Sequence, residues 1–95
     1  MISRDQAKII AQEELNRSNA NMDLLIIDEY IEFDEGWVFG YQTKEYVETG
    51  NEDFILYGNG PIIVAKEDGK VFRGGTAYDV EHYIEEFKHY IHSSK

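Results

Sequence analysis

Hydrophobic residues recur at helical spacing near both ends of the chain. Ser3 and Gln6 form a capping box at the start of the first such stretch, since each side chain can pair with the backbone amide of the other residue. The first stripe consists of Ala7, Ile10, Ala11 and Leu15. The second consists of Val80, Tyr83, Ile84, Phe87 and Ile91. The pattern predicts an N-terminal helix over about residues 4–17 and a C-terminal helix that Thr76 or Asp79 can cap.

Between these helices, hydrophobic and polar residues alternate, which is typical of strands. The sequence FDEGW, residues 33–37, interrupts the first alternating stretch and predicts a tight turn between two strands. With Phe33 opposite Trp37, one face of this hairpin should carry Ile31, Phe33, Trp37, Phe39 and Tyr41. Further strands are predicted at 54–57, 62–66 and 71–73, and an Asp-Gly turn joins the last two.

These elements predict a single α+β domain over residues 1–95. An antiparallel sheet of about five strands follows the N-terminal helix and precedes the C-terminal one, and both helices should cover one face of the sheet. A chain of 95 residues leaves little room for a second core. With 42% hydrophobic residues and one proline, the composition is that of a folded domain rather than a disordered segment.

Acidic residues outnumber basic ones by 19 to 9, which gives a formal net charge of −10. Such a charge repels nucleic acids and anionic membranes, so neither is expected as a partner, and a basic protein surface is favoured. The alternative is that the acidity only keeps the protein soluble. The chain has no cysteine, no signal-peptide pattern and no apolar run longer than residues 24–27, so we expect a cytoplasmic protein.

The glycines of the stretch GNGPIIV, residues 58–64, raise the question of a phosphate-binding loop. Such loops join a strand to the N-terminus of a helix, whereas Gly58 and Gly60 lead through Pro61 into a strand. We therefore interpret them as structural. His82, His89 and His92 are seven and three residues apart, which is not the i,i+4 pair of a helical zinc site, so no metal is expected.

Five carboxylates crowd the first strand and its turn: Asp28, Glu29, Glu32, Asp34 and Glu35. Their alternation with strand residues does not fit a calcium loop. An acid–base pair of the glycosidase kind stays open, because any two carboxylates can meet in space. The two main interpretations are a charged sheet surface and an acidic contact patch. We assign no catalytic residue and no cofactor.

The polar stretch from Gln42 to Asp53 is predicted to be an exposed loop, and long polar loops are often functional. Tyr46 is an aromatic residue with little to bury itself against there, so it is the strongest single candidate for a partner contact. The predicted partner-binding residues are Glu32, Asp34, Glu35, Lys44, Glu45, Tyr46, Glu48, Asn51 and Glu52.

Three stretches carry a family resemblance: the helix MISRDQAKIIAQEEL, then GWVFGYQTKEYVETGN, then YGNGPIIVAKEDGKVFRGGTAYDVEHYIEEF. Together they resemble the immunity protein 35 family, also called YrhB-like, over nearly the whole chain. The resemblance implies a small bacterial α+β protein that is encoded beside a polymorphic toxin and neutralises it by binding, without chemistry. Trp37, Gly36, Gly58 and Gly60 match the motif positions.

The predicted function is therefore that of a non-catalytic immunity protein whose acidic surface meets a basic surface of a toxin, such as a nuclease. Two alternatives stay open. One is a small heat-stable chaperone, because stand-alone members of the family are suggested to act in that way. The other is a small enzyme with an unrecognised carboxylate site. A homodimer formed through an exposed sheet edge also stays open.

Overall fold

The computed structural model describes residues 1–18, 23–56 and 60–93, apart from the side chains of Asp28 and Ser93. Its elements are helix α1 (Arg4–Ser18), strands β1 (Leu24–Phe33) and β2 (Gly36–Thr43), helix α2 (Lys44–Thr49), a 3-10 helix (Glu52–Phe54), strands β3 (Ile62–Ala65) and β4 (Val71–Arg73), and helix α3 (Val80–Ser93). This order confirms the α+β class. No helix within these three ranges is both long and apolar enough to cross a bilayer.

Strands β1 to β4 form an antiparallel sheet in which each strand pairs with the next one along the chain. The antiparallel sheet and the strands predicted near residues 62–66 and 71–73 are thus confirmed. The stretch predicted as a strand at 54–57 differs, because Phe54 ends the 3-10 helix. The side chain of Asn51 starts that helix by accepting a hydrogen bond from the Asp53 amide at 3.0 Å. Tyr57 lies outside the described residues.

The β1–β2 hairpin has a two-residue turn, and this turn sets which side chains share a face. Phe33 pairs with Gly36, so Trp37 pairs with Glu32, and the predicted alignment of Phe33 with Trp37 is wrong. A register shift of one residue moves a side chain to the other face of the sheet. The ring of Phe33 therefore packs against helix α3, whereas Trp37 belongs to the core under α1. Ile31 is on the same side as Phe33 and is largely exposed.

The terminal helices pack on opposite faces of the sheet, which corrects the prediction that both cover one face. The core on the α1 face consists of Ala7, Ala11, Leu15, Leu24, Ile26, Trp37, Phe39, Tyr41, Ile62 and Val64. The core on the α3 face consists of Val38, Ile63, Ala65, Tyr83 and Phe87. The reason lies in β3, whose four consecutive residues are all apolar and all buried. A strand of this kind needs a cover on each side, so the fold has three layers.

Helix α1 is fixed at its start and along one side. The capping box is confirmed: the Ser3 hydroxyl accepts from the Gln6 amide at 3.2 Å, and the Gln6 side chain accepts from the Ser3 amide at 2.9 Å. Further along, the Gln12 side chain donates to the Leu24 carbonyl at 2.8 Å and accepts from the Ile26 amide at 2.9 Å. Because β1 is an edge strand, this pair of bonds covers part of an open sheet edge.

The approach to β3 is a close contact between two backbone segments. The Gly74 amide donates to the Pro61 carbonyl at 2.8 Å, and a Cβ atom on Gly60 would collide with the Gly74 carbonyl oxygen. Gly60 is therefore required for packing, in agreement with its structural interpretation, while Gly58 lies outside the described residues. Helix α3 begins with Asp79 rather than Thr76 as its cap, since the Asp79 carboxylate accepts from the His82 amide at 3.0 Å.

Candidate functional site

The segment that follows β2 is a short helix rather than the exposed loop predicted for residues 42–53. The Thr43 hydroxyl caps helix α2 by accepting from the Tyr46 amide at 3.2 Å. Gly50 ends the helix in the left-handed conformation, with φ of 70°, and its amide donates to the Tyr46 carbonyl at 2.8 Å. The cap residues were the sequence signal for this helix, but a six-residue helix has no hydrophobic stripe to reveal it.

Three hydrogen-bonded links fasten this segment to the sheet. The Thr43 hydroxyl donates to the Phe54 carbonyl at 2.6 Å, which closes the segment on itself. The Gln42 side chain bonds both the carbonyl and the amide of Leu56, at 3.2 and 2.9 Å. The Lys44 amide donates to the carbonyl of Asp23, the residue just before β1, at 2.9 Å. Residues 42–56 are therefore held in a defined position, which favours binding because less flexibility is lost when a partner docks.

The outer side of this segment combines apolar and acidic groups. Val47 and Phe54 are 47% and 46% exposed, so each presents apolar surface to solvent. The exposed charged and polar residues of the same stretch are Lys44, Glu45, Glu48, Thr49, Asn51, Glu52 and Asp53. Tyr46 is half-buried, so it is less accessible than its sequence context predicted. We call this set, Lys44 to Phe54, the α2 surface.

The remaining predicted site residues lie at the other end of the hairpin. Glu32, Asp34 and Glu35 flank or form the β1–β2 turn, which we call the turn surface. Strand β2 separates the two surfaces, and the seven steps of about 3.3 Å between its eight residues place them roughly 23 Å apart. The structure thus brings together the predicted residues of the α2 surface, but it does not join them to the turn surface.

Glu32 is already engaged within the molecule. The Lys66 ammonium donates a hydrogen bond to its carboxylate at 2.7 Å. This hydrogen bond, followed by the charge of Lys66, lowers the pKa of Glu32 below its usual value. Lys66 also lies over the Trp37 ring, 5.3 Å from the ring centre. The carboxylate of Glu32 is therefore an internal partner of Lys66, which leaves Asp34 as the exposed carboxylate of the turn itself.

A comparison with known proteins decides the family. The model of the family described as immunity protein 35 matches residues 5–85, which is most of the chain. The chain belongs to the immunity protein 35 family. It is also 38% identical over 56 residues to a protein of Escherichia coli (strain K12) described as "Uncharacterized protein YrhB". That match covers 59% of this chain and 60% of the relative. No solved structure matches significantly.

The match of this immunity protein 35 chain to its family covers β1, β2, α2 and the sheet that supports them, but it ends inside α3. The α2 surface therefore lies wholly within the matched region. Val47 and Phe54 are the residues of this surface that sequence reasoning missed. The sequence pattern predicts a strand at Phe54 and a loop at Val47. Neither prediction indicates an exposed apolar side chain on a fixed backbone.

A cleft of about 500 Å³ opens beside the turn surface. Its lining includes Asp34, Glu35, Lys66, Asp68 and Lys70. Asp68 and Lys70 form an ion pair at 3.8 Å, and Lys66 is bonded to Glu32, so both lysines are already paired, while Asp34, Glu35 and Glu67 leave an excess of negative charge on the lining. Throughout the part of the chain that the structure describes, no group of three or more histidine and carboxylate side chains could hold a metal ion.

Proposed function

We propose that this member of the immunity protein 35 family neutralises a cognate bacterial toxin by binding it, without catalysing a reaction. The family assignment supports an immunity role. The observation that carries the proposal is the α2 surface, where exposed Val47 and Phe54 stand among carboxylates on a backbone fastened to the sheet. An apolar centre with a charged rim is the usual anatomy of a protein–protein interface.

The chemistry of the partner follows from the charges of this surface. Residues 44–53 carry four carboxylates and one lysine, and that lysine pairs with Glu48 at 3.9 Å. A basic toxin surface would be attracted by this excess of negative charge, which speeds association and disfavours acidic partners. A nuclease fits, because its substrate-binding surface must be basic to hold a phosphate backbone. Covering that surface would block the substrate, and the encounter would take place in the cytoplasm.

Of the residues predicted to contact the partner, those of the α2 surface are our choice: Lys44, Glu45, Tyr46, Glu48, Asn51 and Glu52. Val47 and Phe54 are added as the apolar centre. The turn surface is left out, because Glu32 is paired with Lys66 and the turn lies at the opposite end of β2. It offers instead a matched control, since two carboxylates can be reversed there as well.

The test is protection of growing cells. The protein encoded by the neighbouring gene is expressed together with the wild type, with Glu45→Lys/Glu48→Lys, or with Asp34→Lys/Glu35→Lys. We expect the wild type and the turn variant to protect, and the α2 variant to weaken binding at least about tenfold and lose protection. No protection by the wild type, or equal loss in both variants, contradicts the proposal. Suppressed aggregation of unrelated heated proteins, without such protection, would identify the chaperone alternative instead.

A further inference from the structure

Tyr78 is an exposed aromatic residue outside both the α2 surface and the turn surface. It lies between β4 and α3 and is 64% exposed, the largest value for an aromatic side chain among the described residues. Its ring stacks on the ring of His82, with 4.1 Å between the ring centres and 28° between the planes. One face of the Tyr78 ring therefore rests on His82. The ring of buried Tyr83 stands at 65° to it, with 6.3 Å between the ring centres, and Tyr78 keeps its 64% exposure beside both; we call the face turned away from His82 the open face.

The backbone behind this ring is held by a buried hydroxyl group. The Tyr83 oxygen accepts hydrogen bonds from the amides of Ala77 and Tyr78, at 3.2 and 3.3 Å. Tyr83 itself belongs to the core on the α3 face. Gly75 makes room for this hydroxyl, because a Cβ atom there would come within 2.9 Å of it. Tyr78 is thus a large side chain that is both exposed and pre-positioned, as is common for residues that dominate binding energy.

The surroundings of Tyr78 are negatively charged. Residues 74–87 carry four carboxylates and neither lysine nor arginine; of these, Glu85 pairs with Lys88 at 3.5 Å, and the others are Asp79, Glu81 and Glu86. One of these carboxylates lies next to the stack, since Glu86 is 3.3 Å from the imidazole of His82. A cation that approaches the open face of Tyr78 therefore meets both an aromatic surface and compensating charge.

Two other tyrosine rings of this chain each have an arginine side chain over one face. The Arg4 guanidinium lies 5.2 Å from the centre of the Tyr30 ring, and that of Arg73 lies 5.8 Å from the centre of Tyr41. Tyr78 is not among the rings with a cation over them in the described part of the chain. Its open face is chemically equivalent to these occupied ones.

Strand pairing directs the segment that leads to Tyr78 toward the end of the sheet that carries the α2 surface. Arg73 pairs with Ile62, which in turn pairs with Phe39, and from there β2 continues to Thr43 and α2. The chain after Arg73 therefore leaves the sheet toward the end at which α2 begins.

We propose that the open face of Tyr78 receives an arginine side chain of the toxin, as a second contact beside the α2 surface; this inference rests on the proposed function. Arginine is favoured over lysine because its planar guanidinium stacks on an aromatic ring while it bonds a carboxylate. The nearby carboxylate for that bond is Glu86. The toxin should therefore carry an arginine next to its basic docking surface.

The test uses peptides, so it does not depend on the toxin. Hexa-arginine and hexa-lysine are titrated into the isotopically labelled protein while the ring resonances of Tyr78 and His82 are followed by NMR. We expect hexa-arginine to shift both rings and to bind about two- to fivefold more tightly than hexa-lysine. Tyr78→Leu should abolish this difference and Tyr78→Phe should keep it. Tyr90→Leu, which removes another exposed tyrosine of α3, should leave it unchanged.

Equal affinity of the two peptides for the wild type overturns the inference, and so does unchanged hexa-arginine binding by Tyr78→Leu. If Tyr78→Leu does not fold, the comparison of the two peptides on the wild type and Tyr78→Phe decides. The toxin then separates the two proposals. Binding that is lost in Glu45→Lys/Glu48→Lys but unaffected by Tyr78→Leu would leave the proposed function intact and overturn the role of Tyr78.

Discussion

The side-chain amide of Gln42 makes the two hydrogen bonds to Leu56 that a neighbouring strand would make. Its nitrogen donates to the Leu56 carbonyl at 3.2 Å, and its oxygen accepts from the Leu56 amide at 2.9 Å. The link lies beyond the last pairing of β2 with β3, which ends at Phe39 and Ile62. The side chain of Gln42 thus continues the hydrogen bonding of the sheet into the segment that carries the α2 surface.

Gln42→Ala should loosen residues 54–56 while the sheet stays intact. Two backbone groups lose their partners, so we expect a loss of about 1–2 kcal/mol in stability and faster amide exchange at Leu56. Hydrogen exchange followed by NMR measures both. Gln12→Ala is a matched control, because it removes an equivalent pair of bonds to Leu24 and Ile26 and should loosen β1 instead. Identical exchange patterns in the two variants would argue against this role of Gln42.

Two glycine substitutions should differ in their cost. A Cβ atom on Gly36 would collide with the Val64 carbonyl oxygen, so Gly36→Ala requires the β2–β3 pairing to shift. We expect a loss of about 3 kcal/mol. Gly50→Ala meets nothing within 4 Å and suffers only from its φ of 70°, at about 1–2 kcal/mol. Urea unfolding of both variants checks the order, and a larger loss for Gly50→Ala would show that the close approach at Gly36 is wrong.

The hydrogen bond from Lys66 should determine how far the pKa of Glu32 is lowered. Its folded pKa is lowered, so the stability that this carboxyl contributes is present above its unfolded pKa and is lost as the pH falls through the folded value. In Lys66→Met the pKa of Glu32 should rise toward the ordinary value. Carboxyl carbon shifts followed by NMR between pH 2 and 7 measure it. An unchanged pKa in this variant would mean that Lys66 does not hold the carboxylate in solution.

Phe54→Ala should weaken binding to the neighbouring gene's protein about tenfold or more, because exposed aromatic residues at the centre of an interface carry much of its energy. Its free energy of unfolding should change far less than that of a core variant, since nearly half of the side chain is exposed. Ile9→Ala removes a 60% exposed side chain on α1 and serves as the control for apolar surface in general. Calorimetric titration distinguishes the two, and equal affinities would remove Phe54 from the contact.

Local signals in the sequence predicted the elements with strong periodicity. The capping box of Ser3 and Gln6 located the start of α1, and every residue of the predicted α3 stripe belongs to the core on the α3 face or packs against it. The stripe left out Tyr90, whose ring contacts Phe72 of β4. The alternation of β1 and β2 indicated an antiparallel hairpin. The face of Phe33 was wrong because hairpin register depends on the length of the turn, and one residue more or less reverses every side chain.

The three-layer arrangement could also be predicted from the sequence. Residues Ile62 to Ala65 are apolar without a break, which is typical of a strand covered on both faces. The prediction that both helices cover one face is inconsistent with this apolar run, which needs a cover on each side. Helix α2 was harder to foresee, because its existence depends on caps from Thr43 and Gly50 and on the distant link of Gln42 to Leu56. Contacts between residues far apart in the chain leave no periodic signal.

The binding surface can be located most directly by hydrogen–deuterium exchange of this chain, free and in complex with the protein encoded by the neighbouring gene. A docked partner slows exchange of the amides that it covers, and residues 30–36 on the turn surface act as an internal reference. We predict slower exchange across residues 43–56 and no change at the turn. Slower exchange confined to residues 30–36, or no change anywhere in a chain that does not associate, would contradict the account.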